Sequence, residues 1–225
     1  MRDFAGFQPG YAVVAIDVIR ATTTIVTALA LGRRCFPTPT IDAAVEAAEQ
    51  LDEPLLAGEL GGNVPYGFDV DNSPADLLAR TDTSRPLVLV STSGTQLICD
   101  SGKIAAATYA ACLRNYRAQA DYLVGRHPRV ALIGAGSRGE FREEDQLCCA
   151  WLGERLMRAG YEPEGDAQAL IERWQGARVE DLLVSNSVKF LRASGRERDL
   201  EFVLSHVDDT DVVAAYYDGE IIRCR

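Results

Sequence analysis

The stretch Tyr11–Gly32, YAVVAIDVIRATTTIVTALALG, decides the fold. Residues 11–17 are rich in Val, Ile and Ala and read as a buried strand. Thr22, Thr23 and Thr24 follow where a helix N-cap belongs, and the helix runs to about Gly32, a natural C-cap. The same grammar of apolar strand, short turn of small and hydroxylic residues, and amphipathic helix recurs twice. It returns in Pro86–Gly102 (PLVLVSTSGTQLICDSG) and in Arg129–Gly153 (RVALIGAGSRGEFREEDQLCCAWLG). Each copy sets backbone N–H groups and the positive end of a helix dipole where a strand stops, which is where α/β sheets bind anions. The expected fold is a three-layer α/β/α protein with a mostly parallel central sheet.

The rest of the chain fills in around these units. Pro37 and Pro39 mark a connection, Ile41–Leu51 an amphipathic helix and Pro54–Ala57 a short strand. Gly58–Pro74 (GELGGNVPYGFDVDNSP) is the longest stretch without periodicity, and ordered loops of that composition are usually functional. Ser73–Pro74 opens a further helix. Ile104–Ala107 reads as a short strand, and Ala110–Val124, with Asn115, as a helix. After Gly160 the texture turns helical over Ala167–Trp174, Val179–Ala193 and Arg196–Val207, and a hairpin around Asp218–Gly219 closes the chain. The expected organisation is a main α/β domain over 1–160 carrying the anion-binding turns, with 161–225 as a smaller C-terminal α/β subdomain that completes the cleft without being independent.

Composition narrows the chemistry. The 225 residues are 47% apolar, enough for a core, and no run is long enough for a membrane helix. The first ten residues have no secretory-type apolar segment, so a cytoplasmic location is expected. A net charge of −10 argues against nucleic-acid and anionic-membrane partners. It also means that a small polyanion must be held by local cations. Only Lys103 and Lys189 are lysines, so guanidinium would be the anion partner. The six cysteines show no CxxC pair or zinc spacing, and Cys99, Cys112, Cys148 and Cys149 read as small core residues. His127 and His206 sit in unremarkable contexts, and no Ser–His–Asp or Cys–His apparatus can be assembled.

Two motif readings fail on their neighbours. Gly134–Gly139 matches GxGxxG, but Glu140, Glu143, Glu144 and Asp145 would crowd a pyrophosphate, and no acidic strand end follows about 20 residues on. Those carboxylates suit a magnesium site or helix capping better. Asp17 ends its strand as the nucleophile of haloacid-dehalogenase phosphatases does, but Ile19 stands where their helper acid belongs.

Taken in order, the blocks Ile16–Leu29, Gly58–Glu59 with Gly67–Pro74, Ser91–Thr95, the Asn115 segment, Gly134–Asp145 and Ser194–Arg198 resemble the 2-phosphosulfolactate phosphatases of coenzyme M biosynthesis, over almost the whole chain. Two positions depart: Ser93 stands where the family reads asparagine, and Asp71 where it reads glycine. The resemblance implies Mg²⁺-dependent hydrolysis of 2-phospho-3-sulfolactate to 3-sulfolactate and phosphate. It implies catalytic roles for Asp17, Arg20, Glu59, Asp69 and Asp145. The metal ligands would be Asp17, Glu59 and Asp145, with Asp69 and Glu144 in reserve. Substrate contacts are expected from Thr22, Thr23, Thr24, Asn72, Ser73, Thr92, Ser93, Gly94, Thr95 and Asn115. Arg20 is expected at the phosphate and Arg196 at the sulfonate or carboxylate end. The partner is then a small polyanionic phosphoacid, with the oligomeric state open, a homodimer included. The alternative from another class is a non-catalytic phosphoacid-binding protein on the same scaffold, motivated by Ser93 and Asp71.

Overall fold

The computed structural model describes residues 10–136 and 140–224. In chain order the elements are β1 (Ala12–Ile16), α1 (Ala21–Ala30), β2 (Cys35–Thr38), α2 (Ile41–Ala48), β3 (Leu55–Gly58), α3 (Pro74–Leu78), β4 (Leu87–Val90), α4 (Gly94–Ile104), β5 (Ala107–Ala111), α5 (Tyr116–Leu123) and β6 (Val130–Gly134). They continue with α6 (Glu143–Arg158), α7 (Ala167–Arg173), a 3-10 turn over Val179–Val184, α8 (Asn186–Ala193), α9 (Glu197–Ser205), β7 (Val213–Tyr217) and β8 (Glu220–Cys224).

Every residue of β1 is buried, because the strand is flanked by β5 and β6 and covered on both faces. Its alternation feeds two cores. Ala15 packs in the core that holds Ile25, Val26 and Leu29 of α1 and Leu97 and Ile98 of α4. Val14 and Ile16 pack in the other, with Ala120 and Leu123 of α5 and Leu147, Cys148 and Leu152 of α6. The result is the expected three-layer α/β/α arrangement. Cys35, Cys99, Cys112, Cys148 and Cys149 are buried free thiols, and burial pushes those of Cys99 and Cys112 up to about 11. No helix among the described residues is long and apolar enough to cross a membrane.

The eight strands lie in the order β3-β4-β2-β8-β7-β5-β1-β6. Two parallel trios, β3-β4-β2 and β5-β1-β6, are joined by the β7–β8 hairpin, whose three antiparallel pairings reverse direction between them. Asp218 and Gly219, both at positive φ, make the hairpin turn. Although sequence-terminal, the hairpin is spatially central. Strand-to-strand twist of roughly 20–25° per step turns this opposition into a crossing over the five steps from β4 to β1. The loops after β1, β3, β4 and β6 thereby reach one cavity.

Local readings shift in three places. Cys35–Thr38 is strand β2, not a connection. Pro37 is tolerated because β2 meets β8 at a single bridge, Cys35↔Ile221, while its other side pairs fully with β4. The expected strand at Ile104–Ala107 is displaced: α4 runs to Ile104 and β5 covers Ala107–Ala111, so the following helix starts only at Tyr116. Alanines there favour helix locally, but pairing with β1 and β7 overrides that preference. The expected helix Val179–Ala193 breaks at Ser185, whose hydroxyl accepts from Val188 N and caps α8.

Candidate active site

The turn after β1 is built by its own hydroxyls. Thr22 Oγ1 accepts from Asp17 N at 2.9 Å and donates to Asp17 O at 2.8 Å; Thr23 Oγ1 donates to Val18 O and Thr24 Oγ1 to Arg20 O. All three threonines are buried, and none lines the cavity. Their role is to hold Asp17 and Arg20 at the end of the strand. The turn after β4 follows the same logic. Ser91 and Thr95 bond each other reciprocally, Ser91 N to Thr95 Oγ1 and Thr95 N to Ser91 Oγ. Thr92 and Ser93 are left facing the cavity, where the Ser93 side chain makes no capping bond to α4.

The cavity, about 260 Å³, is bordered by Asp17, Glu59 and Asp145. Asp145, in the first turn of α6, ties two strand ends together: its Oδ1 accepts from Val18 N at 2.8 Å and its Oδ2 from Gly136 N at 3.1 Å. Glu59 binds the β4 turn, accepting from Thr92 N and Thr92 Oγ1, and from Gly62 N. Asp17 lies against the start of α4, and only glycine permits this approach: a Cβ on Gly94 would sit 2.3 Å from Asp17 Oδ2. Burial, then the Glu59 charge with Glu144 adding, pushes the Asp17 carboxyl up to about 7, although the Ala21 N–H and Arg20 act in the opposite direction. Asp145 is driven well above the carboxylate range by burial first and then by Asp17 and Glu144. Glu144 is raised by its own burial, which the neighbouring Ser187 side chain opposes, and among the described residues neither of its carboxylate oxygens has a hydrogen-bond partner of good geometry.

The cations divide into two kinds. Arg20 is buried and tied down, donating to both oxygens of Asp71 (3.0 and 3.1 Å) and to Asp199 Oδ2 (2.7 Å). Arg196 donates to Asp71 Oδ2 at 2.6 Å and to Gly62 O. Arg142, by contrast, lines the cavity, and among the described residues its one ion pair is a 3.5 Å contact to the exposed Glu140. Arg142 is absent from the sequence candidates. It stands hidden in FREED, where the carboxylates dominate the reading. The wall supplied by α8, with Asn186, Ser187 and Phe190, is absent from them too; the polar triplet Ser185-Asn-Ser187 opening an amphipathic helix is its only signal.

Of the expected site residues, Asp17, Arg20, Glu59, Asn72, Thr92, Ser93 and Asp145 meet at the cavity. Asn72 is buried, and among the described residues its Oδ1 has no hydrogen-bond partner. Gly94 adjoins through Asp17. Asp69 is not brought there: it accepts from Leu56 N and pairs with Arg85. Ser73 caps α3 and donates to Asp199. Asn115 is fully buried, bonding Cys112 N, Ala110 O and Val212 O, so it joins the β5 end to the final hairpin. Ser137, Arg138 and Gly139 of the glycine-rich turn lie outside the described residues.

The carboxylate set has the chemistry of a hard cation site. Its donors are all oxygens, and their mutual repulsion is what a cation would relieve. Among the described residues no three Asp, Glu, His or Cys side chains converge closely enough to ligate by themselves.

A family model described as 2-phosphosulpholactate phosphatase matches residues 5–219. The chain is 32% identical over 216 residues to a probable 2-phosphosulfolactate phosphatase of Pseudothermotoga lettingae, covering 93% of this chain and 91% of the relative. A protein of the same description from Thermotoga maritima is 35% identical over 216 residues, covering 93% and 90%. Another, from Nostoc punctiforme, is 30% identical over 231 residues, also covering 93% and 90%. The matched span takes in every strand end that contributes to the cavity, and the chain belongs to the 2-phosphosulpholactate phosphatase family.

Proposed function

We propose that the chain is a Mg²⁺-dependent phosphomonoesterase that hydrolyses 2-phospho-3-sulfolactate to 3-sulfolactate and phosphate. The observation that carries this reading is the convergence of Asp17, Glu59 and Asp145 with Arg142 and Ser93 around one small cavity at four strand ends. The reaction and substrate are those in the names of the relatives.

Phosphoryl transfer asks a protein mainly for positioning and charge neutralisation. Asp17, whose oxygens are least engaged by the backbone, would hold Mg²⁺ together with Glu59 or Asp145, and the bound ion would neutralise phosphoryl oxygens. Arg142, whose one ion pair among the described residues is the long contact to Glu140, would turn its fork onto the phosphate. Ser93 Oγ and Asn72 Oδ1 offer one hydroxyl and one unsatisfied acceptor for substrate hydrogen bonds or for the attacking water. The α4 N-terminus adds a favourable dipole for the transferring group. Asp145 also keeps the β1 and β6 turns in register, accepting from the backbone of both.

The test is phosphate release from 2-phospho-3-sulfolactate by purified protein. Turnover should require Mg²⁺, stop on chelation and return on addition of the metal. Full turnover in excess chelator would remove the metal from this reading. A second reading, a phosphoacid binder without turnover, draws on the Asp71 carboxylate already held by Arg20 and Arg196. It predicts a raised Tm with ligand and no phosphate released.

A further inference from the structure

Two guanidiniums beside the cavity, Arg20 and Arg196, are already bound to an anion of the protein itself. Asp71 Oδ2 accepts from Arg20 Nη1 and Arg196 Nε, and Asp71 Oδ1 accepts from Arg20 Nη2 and from Asn72 N. Asp199 is the other carboxylate on Arg20, but its role is internal. Its side chain is 4% exposed, and it also binds the Ser73 hydroxyl and Ala75 N. Asp71 and Arg196 are 17% and 19% exposed, so their ion pair is accessible from solvent. The group of two arginines and two aspartates is electrically neutral. Burial alone would raise the Asp71 carboxyl, but the Arg20 bonds and charge, joined by those of Arg196, hold it below its ordinary value, so it stays ionised at neutral pH.

Position links this pair to the cavity. Arg20 lines the cavity, as do Asn72, next to Asp71, and Gly62, whose carbonyl accepts from Arg196 Nη2. Phe190 packs on Gly62 and lies under the Arg196 guanidinium, 5.9 Å from ring centroid to Cζ. An anionic group on the ligand, remote from the phosphate, would meet this pair of guanidiniums.

We propose that Asp71 is a specificity-determining residue: its carboxylate and the distal acid group of the phosphoester compete for Arg20 and Arg196. The inference rests on the phosphoester reading of the cavity. It means that the chain discriminates against a distal sulfonate or carboxylate more strongly than the same scaffold would without Asp71.

Three phosphoesters of one carbon skeleton test it: 2-phospho-3-sulfolactate, 2-phospholactate and isopropyl phosphate, which carry two, one and no acid groups besides the phosphate. The sulfolactate ester should gain most from Asp71→Gly: its kcat/KM relative to that for isopropyl phosphate should rise roughly 10- to 150-fold over the parent ratio, the range for charge-assisted hydrogen bonds. Asp71→Asn, which keeps the volume and loses the charge, should fall between parent and glycine variant, and it carries the test if the glycine variant does not fold. The 2-phospholactate series tells which acid group competes. Calorimetric binding of 3-sulfolactate to the same proteins should tighten in the same order. This arm needs no turnover, so it decides the inference even if the parent releases no phosphate and the hydrolytic reading falls. An unchanged or lowered ratio, or weaker sulfolactate binding in both variants, would overturn the inference and make Asp71 a residue that merely positions the arginines.

Discussion

Asp17 carries a stability cost that its own pH dependence should expose. In the unfolded chain its carboxyl releases a proton near 3.8, whereas in the folded protein burial, Glu59 and Glu144 hold it to about 7. Between those values the folded state binds the extra proton, so unfolding free energy falls as pH rises. At 1.36 kcal/mol per pH unit across about three units, the loss reaches about 4 kcal/mol above pH 7. Asp17→Asn is nearly isosteric and cannot ionise, so it should escape the loss. Urea unfolding in chelator, from pH 4 to 8.5, measures the difference between parent and variant. The two should be nearly equal at pH 4, and the variant should gain up to about 4 kcal/mol by pH 8. For a chain of this size that is roughly 8–16 °C in Tm. Phosphate release should be lost in the same variant, and Mg²⁺ should close the stability gap by favouring the charged aspartate in the parent. A variant less stable than the parent at pH 8, or a gap that does not change with pH, would refute the account of Asp17 as a carboxyl crowded by burial and neighbouring acids.

Other substitutions separate positioning from contact. Arg142→Ala should lower kcat/KM roughly 10- to 150-fold while Tm hardly moves, because its one ion pair among the described residues is long and made to the exposed Glu140; parent-level kinetics would remove Arg142 from the site. Arg20→Ala should cost about 3–5 kcal/mol in denaturant unfolding, since it leaves Asp71 and Asp199 without their buried partner. Arg20→Lys should recover part of that stability but not the bidentate hold on Asp71; equal stability of alanine variant and parent would contradict this. Gly94→Ala would press a methyl group onto Asp17 Oδ2 and to within 2.7 Å of Ala21 Cβ. It should cost about 1–3 kcal/mol and most of the activity, and an alanine variant with parent turnover would show that the close approach is dispensable.

Along the chain alone the layered α/β class, the strands β1, β4 and β6 and the final hairpin were legible, whereas the acids that face the cavity entered through the resemblance of their blocks to the family. The former follow from local rules: apolar runs bounded by small residues, helix starts after strand ends, and a positive-φ pair at Asp218–Gly219. The sequence could not say what each hydroxyl bonds. Thr22 and Thr92 look alike in the chain, yet Thr22 closes its own turn while Thr92 reaches Glu59 in the loop after β3. A hydroxyl satisfies backbone or ligand with equal chemistry, and only the three-dimensional neighbourhood chooses. Asn115 likewise sits in a family-like block but joins β5 to Val212, because β7 lies beside β5. Strand β2 was hidden by Pro37, whose missing N–H matters only if that side of the strand is paired. The largest unreadable feature was the bond from Asp71 to Arg196, 125 residues away. Charges that far apart along the chain meet only because twist and the central hairpin bring the loop after β3 under α8 and α9. Tertiary structure therefore decided which arginine is free for substrate and which is already held.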